Sequence, residues 1–232
     1  VVAGLAVFVG ALVQGSVGFG MGMLAAPVFM LAVPETMPAS LLMLGIAQPV
    51  LSLAREWRHC DWRSVAWGVL GRLPGVVAGA WLLVRLPPRP TAVVVGALVV
   101  AAAMAQWRRW HVATTPATLT GAGFVAGLMG TTAGFGGPPM ALVYSQRSGP
   151  VVRASLALFF LIGALMTMPA YVVTGRLGTV QVMTTLAVLP FLVVGAWLAR
   201  PLSRHIDAGR TKPAVLALAI VGGVVLIATN LR

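Results

Sequence analysis

The sequence predicts an all-α integral membrane protein of two homologous halves, inverted in the membrane. Each half has a Gly-rich broken helix or re-entrant hairpin plus three spanning helices. Three observations predict this. First, 59% of the 232 residues are hydrophobic and only 9% are charged, against about 25% charged in a soluble domain. So few charges cannot cover a water-facing surface, and the mean hydropathy of +0.96 agrees. Second, the charges fall in short clusters between long apolar runs, as in a polytopic membrane protein. Third, short sequence words recur between the halves at nearly one offset.

A crossing takes ~20 residues plus a connection, so this length allows roughly eight segments. That makes one membrane domain over 1–232, with a first repeat at 1–110, a connecting loop at 107–118 and a second repeat at 119–232. The first apolar stretch is too long for the core of a cleavable signal peptide, and none is expected. Membrane barrels are a poor reading, because the runs are too long and lack period-two alternation.

In chain order, the first apolar run covers 2–33 and is interrupted at Gly15-Ser-Val-Gly-Phe-Gly-Met-Gly22. Runs 39–54, 65–84 and 91–107 follow. The second half opens with 119–144, interrupted at Gly130-Thr-Thr-Ala-Gly-Phe-Gly-Gly-Pro-Pro139, and continues with 154–174, 179–199 and 214–230. Gly18-Phe19-Gly20 matches Gly134-Phe135-Gly136 at an offset of 116. Leu73-Pro74 matches Leu189-Pro190, and Gly79-Ala-Trp-Leu82 matches Gly195-Ala-Trp-Leu198, both at 116; Ala39-Ser-Leu41 matches Ala154-Ser-Leu156 at 115. Four words in one order at almost one offset signal a structural repeat.

The interrupted runs read either as broken helices that cross or as hairpins that return to their starting side. Counting loop Lys and Arg discriminates between them. If they cross, the two sides hold seven and eight basic residues, which is no bias. If they are hairpins, Arg85, Arg89, Arg176 and Arg232 face eleven basic residues on the other side. The hairpin reading therefore gives a clear orientation, with the eleven-charge side cytoplasmic. Three crossings per half also make the halves inverted.

Non-helical backbone at membrane depth survives only when buried in protein or lining a wet cavity. Runs 15–22 and 130–139 are too rich in Gly and Pro to remain regular helix, so each ends one half-helix and starts another. The second half-helix presents free N–H groups and a positive dipole end. Two such tips near the midplane make an anion site, and paired interruptions are the best sequence pointer to a transporter's site. Small residues for close helix packing are the plainer reading of one such run.

The candidate binding residues are Gln14, Ser16, Gly18, Gly20, Ser40, Arg72, Thr131, Thr132, Gly134, Gly136, Gly137 and Ser155. Arg72 lies inside run 65–84, where a charge is costly unless it faces the bundle interior or a cavity. It reads as a counter-charge for an anion, or as a snorkelling or internally bonded side chain. Ser40 and Ser155 occupy equivalent positions and either cap their helices or line the site. Pro74 and Pro190 are equivalent and read as kinks. Gln48, Gln106, Thr167 and Tyr171 are weaker pore candidates. Trp57, Trp62, Trp107 and Trp110 flank basic loops and read as interfacial anchors.

The basic excess of sixteen to four, a net charge of +12, forms no basic face, so nucleic acid is not an expected partner. No Glu or Asp lies in mid-span, which argues against a cation channel or a carboxylate relay. The single Cys60 excludes an internal disulfide. No phosphate-binding loop, metal-ligand spacing or catalytic constellation is present. Neither an enzyme, a metal nor a cofactor is expected.

The two Gly-rich motifs, Gln14–Gly22 and Gly127–Pro139, with Arg153-Ala-Ser-Leu156 and a Pro-bearing span after the second, resemble the sulfite exporter TauE/SafE family over nearly the whole chain. The resemblance implies secondary, proton-linked movement of small anions such as sulfite, sulfonates and carboxylates across a bacterial inner membrane. The reading is thus a permease for a small anion, working by alternating access around a midplane site. A passive anion channel and a membrane anchor subunit are the rivals.

Overall fold

The computed structural model describes residues 1–85, 112–133 and 136–205, with scattered helical positions between 90 and 104 and between 220 and 228. Most of the expected runs 91–107 and 214–230, and with them Gln106, Trp107 and Trp110, lie outside the described residues.

The described residues form helices and no strand. Helix α1 (Val2–Val17) ends where Gly18 turns left-handed at φ 100°, its N–H donating to the Gln14 carbonyl at 2.7 Å. Helix α2 (Met21–Ala32) starts after Gly20, at φ 122°. Both values favour glycine, since a Cβ is strained there. Helix α3 covers Ala39–Glu56 and α4 covers Trp62–Arg85. Asp61 starts α4, its carboxylate accepting from the Ser64 N–H at 3.2 Å and the Ser64 hydroxyl at 2.7 Å, as an N-capping acid does. Helix α5 (Pro116–Ala133) opens on a reciprocal cap in which the Thr115 and Thr118 side chains each accept from the other's backbone N–H. Helix α6 (Gly137–Val143) carries Pro138 and Pro139 in its first turn, where amides have no helical acceptor in any case. Helices α7 (Gly149–Val173) and α8 (Thr179–His205) complete the described chain.

Among the described residues, three stretches are long and apolar enough to cross a membrane: Trp62–Leu82, Gly149–Val173 and Thr179–Ser203. The helix α7, with 25 residues, is about 37 Å long at 1.5 Å per residue, more than the ~30 Å hydrocarbon layer. Trp81 and Trp197, the matching tryptophans of the repeated word, are each 60% exposed on the outside of the bundle. The core instead holds Phe29, Leu44, Met140, Leu156, Phe159 and Leu192.

The packing exchanges partners between the halves: α4 lies against α5, α1 against α8 and α3 against α7. Glycines permit the closest approaches. A Cβ on Gly71 or Gly75 of α4 would run into the Thr120 or Phe124 carbonyl of α5, and one on Gly195 of α8 would meet the Phe8 carbonyl of α1. This explains one difference from the expectation. Helix α1 runs on through Val17 and α5 through Ala133, so much of each Gly-rich run is helical. Glycine lowers intrinsic helix propensity, but Gly15 lies against the Ala199 side chain of α8 and Gly130 against the Arg72 side chain of α4, and that packing holds the helix. Pro74 and Pro190 lie inside α4 and α8.

Candidate functional site

Between the end of α1, the start of α2, α3, α4 and the α5–α6 junction lies a cavity of about 60 Å³. That is space for a few waters or one small oxyanion. Its walls include Gln14, Gly20, Arg72, Gly136 and Gly137. Gln14 reaches across the first break, its Oε1 accepting from the Met21 N–H at 3.2 Å, and so bonds an amide that the start of a helix leaves open.

Arg72 is the charge in this cavity, and only 3% of it is exposed. Its guanidinium sits over the Phe159 ring at 4.7 Å. Glycines of two other helices make room for it: a Cβ on Gly163 of α7 would fall inside the guanidinium, and one on Gly130 of α5 would stand 2.8 Å from Nη2. Nε and Nη1 have no hydrogen-bond partner among the described residues. Buried donor nitrogens without acceptors are costly.

Other predicted residues are engaged elsewhere. The Thr131 and Thr132 hydroxyls donate to the Gly127 and Leu128 carbonyls of their own helix at 3.0 and 2.8 Å. The Thr131 carbonyl accepts from the Tyr171 hydroxyl at 2.5 Å. The Ser16 hydroxyl donates to the Leu12 carbonyl. Ser40 and Ser155 form neither caps nor cavity wall. The Ser40 hydroxyl donates to the Gln181 carbonyl at 3.1 Å, and Ser155 Oγ accepts from the Asp61 N–H at 2.9 Å. Each fastens one half to the start of the other half's long helix. Of the weaker candidates, the Gln48 side-chain amide donates to the Ala11 carbonyl and the Thr167 hydroxyl to the Gly163 carbonyl. Gly18 makes the turn, and Gly134 lies outside the described residues.

Sequence reasoning missed Phe159 and Gly163, which hold Arg72, and Phe19, which lines the cavity. Nothing within α7 marks Gly163, because its role depends on a side chain from α4. The only available signal for Phe19 was its place inside the repeated Gly-Phe-Gly word.

Beside the cavity, at the ends of α1, α3, α6 and α8 and the start of α7, a second chamber of about 980 Å³ opens, lined by Ser16, Phe19, Glu56, Arg147, Arg153 and Arg200 among others. Arg153 grips Glu56 with two nitrogens, Nη2 to Oε1 at 2.7 Å and Nε to Oε2 at 2.9 Å. Arg147 lies 3.6 Å from Asp61. Burial works against the charged form of Asp61, but the Ser64 hydroxyl and N–H, with the charges of Arg147 and Arg63, hold its carboxyl below the usual range. Burial pushes the neighbouring Cys60 thiol up. Among the described residues no three His, Cys, Asp or Glu side chains come together as metal ligands.

The family model described as Sulfite exporter TauE/SafE matches residues 2–226. The chain is also similar to a protein of Cupriavidus necator named "Probable sulfite/organosulfonate exporter TauE", with 28% identity over 204 residues, covering 81% of this chain and 77% of the relative. No solved structure matches.

Proposed function

The chain belongs to the sulfite exporter TauE/SafE family, and from that membership we propose that it is a secondary transporter exporting sulfite, organosulfonates or related small organic anions. The observation that carries the substrate class is the Arg72 guanidinium, buried over the cavity with Nε and Nη1 unpartnered among the described residues. The anion docks there between the starts of α2 and α6, with Gln14, Gly20, Gly136 and Gly137 around it. A helix start favours negative charge through its open amides and dipole.

The re-entrant form of the two Gly-rich segments is supported by side-by-side contacts. A Cβ on Gly10 of α1 would meet the Met21 backbone of α2 at 3.0 Å, so α2 folds back along α1. Gly136 likewise lies against the Ala126 carbonyl of α5. The exchange of partners, α1 with α8 and α4 with α5, supports two inverted repeats that rock against each other for alternating access. The protein is then a multi-pass protein of the bacterial inner membrane, and the proton linkage rests on the family resemblance.

The test is counterflow of radiolabelled sulfite in proteoliposomes. Saturable, gradient-driven flux that Arg72→Met abolishes is the expected result. Unsaturable anion current would establish a channel instead, and flux unchanged by Arg72→Met would remove the Arg72 site.

A further inference from the structure

The transport reading uses the small cavity and leaves the larger chamber without a role. Arg147, Arg153 and Arg200 stand on its walls, and the acid Glu56 is already bound by Arg153. A concave basin walled by cations concentrates anions from solution.

Phe19 alone of the described residues lines both the chamber and the Arg72 cavity. It is only 5% exposed, and its Cβ lies 3.4 Å from where a Cβ on Gly137 would stand. The glycines on either side of it, Gly18 at φ 100° and Gly20 at φ 122°, both hold left-handed backbone. Glycine crosses between backbone wells more freely than any other residue, so the ring is mounted on a hinge at each end. The mount is tied to its surroundings. The Gly18 backbone packs on that of Arg153, 3.2 Å from Arg153 Cα to the position of a Gly18 Cβ. Arg153 in turn grips Glu56 of α3 and donates from Nη1 to the Ser16 carbonyl at 3.4 Å.

We propose that the chamber is an antechamber for small oxyanions such as sulfonates, and that Phe19 is the barrier between it and the Arg72 cavity. The proposal rests on the transporter reading for its substrate. Its test does not need transport.

The full chain is reconstituted with Cys60→Ser and Gly45→Cys. Gly45 lines the cavity, and a Cβ there meets nothing within 4 Å, so the thiol fits. The probe is the impermeant anionic reagent 2-sulfonatoethyl methanethiosulfonate. Phe19→Ala raises its rate at position 45 by roughly tenfold, about 1.4 kcal/mol off the barrier, from the chamber side only. Phe19→Trp lowers that rate. Equal rates in all three proteins, or a rise from the opposite side, overturn the barrier. If Phe19→Ala does not fold, Phe19→Leu gives the same readout. For the antechamber, Ser203→Cys on its wall reacts faster with the anionic reagent than with its trimethylammonium analogue, by about tenfold at low salt. Arg147→Gln with Arg200→Gln brings the ratio toward one; a wild-type ratio at or below one overturns the antechamber. Because no step uses sulfite, failure here leaves the transporter reading standing. Failed sulfite flux with positive labelling removes that reading and keeps the barrier.

Discussion

Replacing Arg72 by Met should make the protein more stable while removing anion binding. Methionine keeps an unbranched stem of similar reach and carries no donors. In the native protein Nε and Nη1 are buried without acceptors among the described residues. An unsatisfied buried group costs about 1–3 kcal/mol, so the pair costs roughly 2–6. The face of Phe159, 4.7 Å away, returns about 1–2 kcal/mol as a cation–π contact. The net gain from Arg72→Met is on the order of 2 kcal/mol, since the remaining stem contacts are kept. At this chain length about 2–4 °C follows each kcal/mol, giving a rise of roughly 4–8 °C in Tm in detergent. Sulfite at a hundred times its Kd should add about 2.7 kcal/mol to the wild type by mass action and nothing to the variant. A thermal-unfolding titration reads both numbers. A lower Tm for Arg72→Met would mean that the guanidinium is well partnered in the native state, and an undiminished sulfite shift would mean that the anion binds elsewhere. Either result refutes the reasoning.

Gly75→Ala forces a Cβ into the Phe124 carbonyl and should destabilise the protein by about 1–3 kcal/mol through overpacking. Gly121→Ala, with nothing within 4 Å, should not; monodispersity on size-exclusion chromatography separates them. Ser155→Ala leaves the Asp61 N–H without its acceptor and should cost about 1 kcal/mol, read as a lower Tm with the sulfite affinity unchanged, because Ser155 is a fastener between halves. The Asp61 carboxyl is held below its ordinary value, so its contribution is fully present above ~pH 4 and is lost as pH falls through the folded-state value. Asp61→Asn should therefore flatten the acid limb of the stability curve, which a pH series of melting curves measures.

The helical character and most segment limits were legible locally. Length and apolarity act within a few residues of where they stand. The run Gly149–Val173 needs no knowledge of its neighbours to be read as a span. Arg72 was legible too, because a charge inside an apolar run stands out wherever the chain later places it. Ser40 and Ser155 were not. Their equivalence in the two halves was visible, but their partners, Gln181 and Asp61, are remote in the chain. The Thr131 hydroxyl was likewise a plausible cavity donor until its own helix carbonyl took it.

The sequence by itself determined a helical membrane protein, two Gly-rich segments and one charge inside an apolar run. Those follow from solvent and backbone chemistry, which are local. Only the tertiary structure decided that α4 packs on α5 and α1 on α8, that Gly163 and Phe159 of α7 form the seat for Arg72, and that Phe19 stands between two chambers. The reason is physical. A cavity is bounded by side chains from several helices, and which faces meet depends on where glycines let backbones touch. No single helix carries that information.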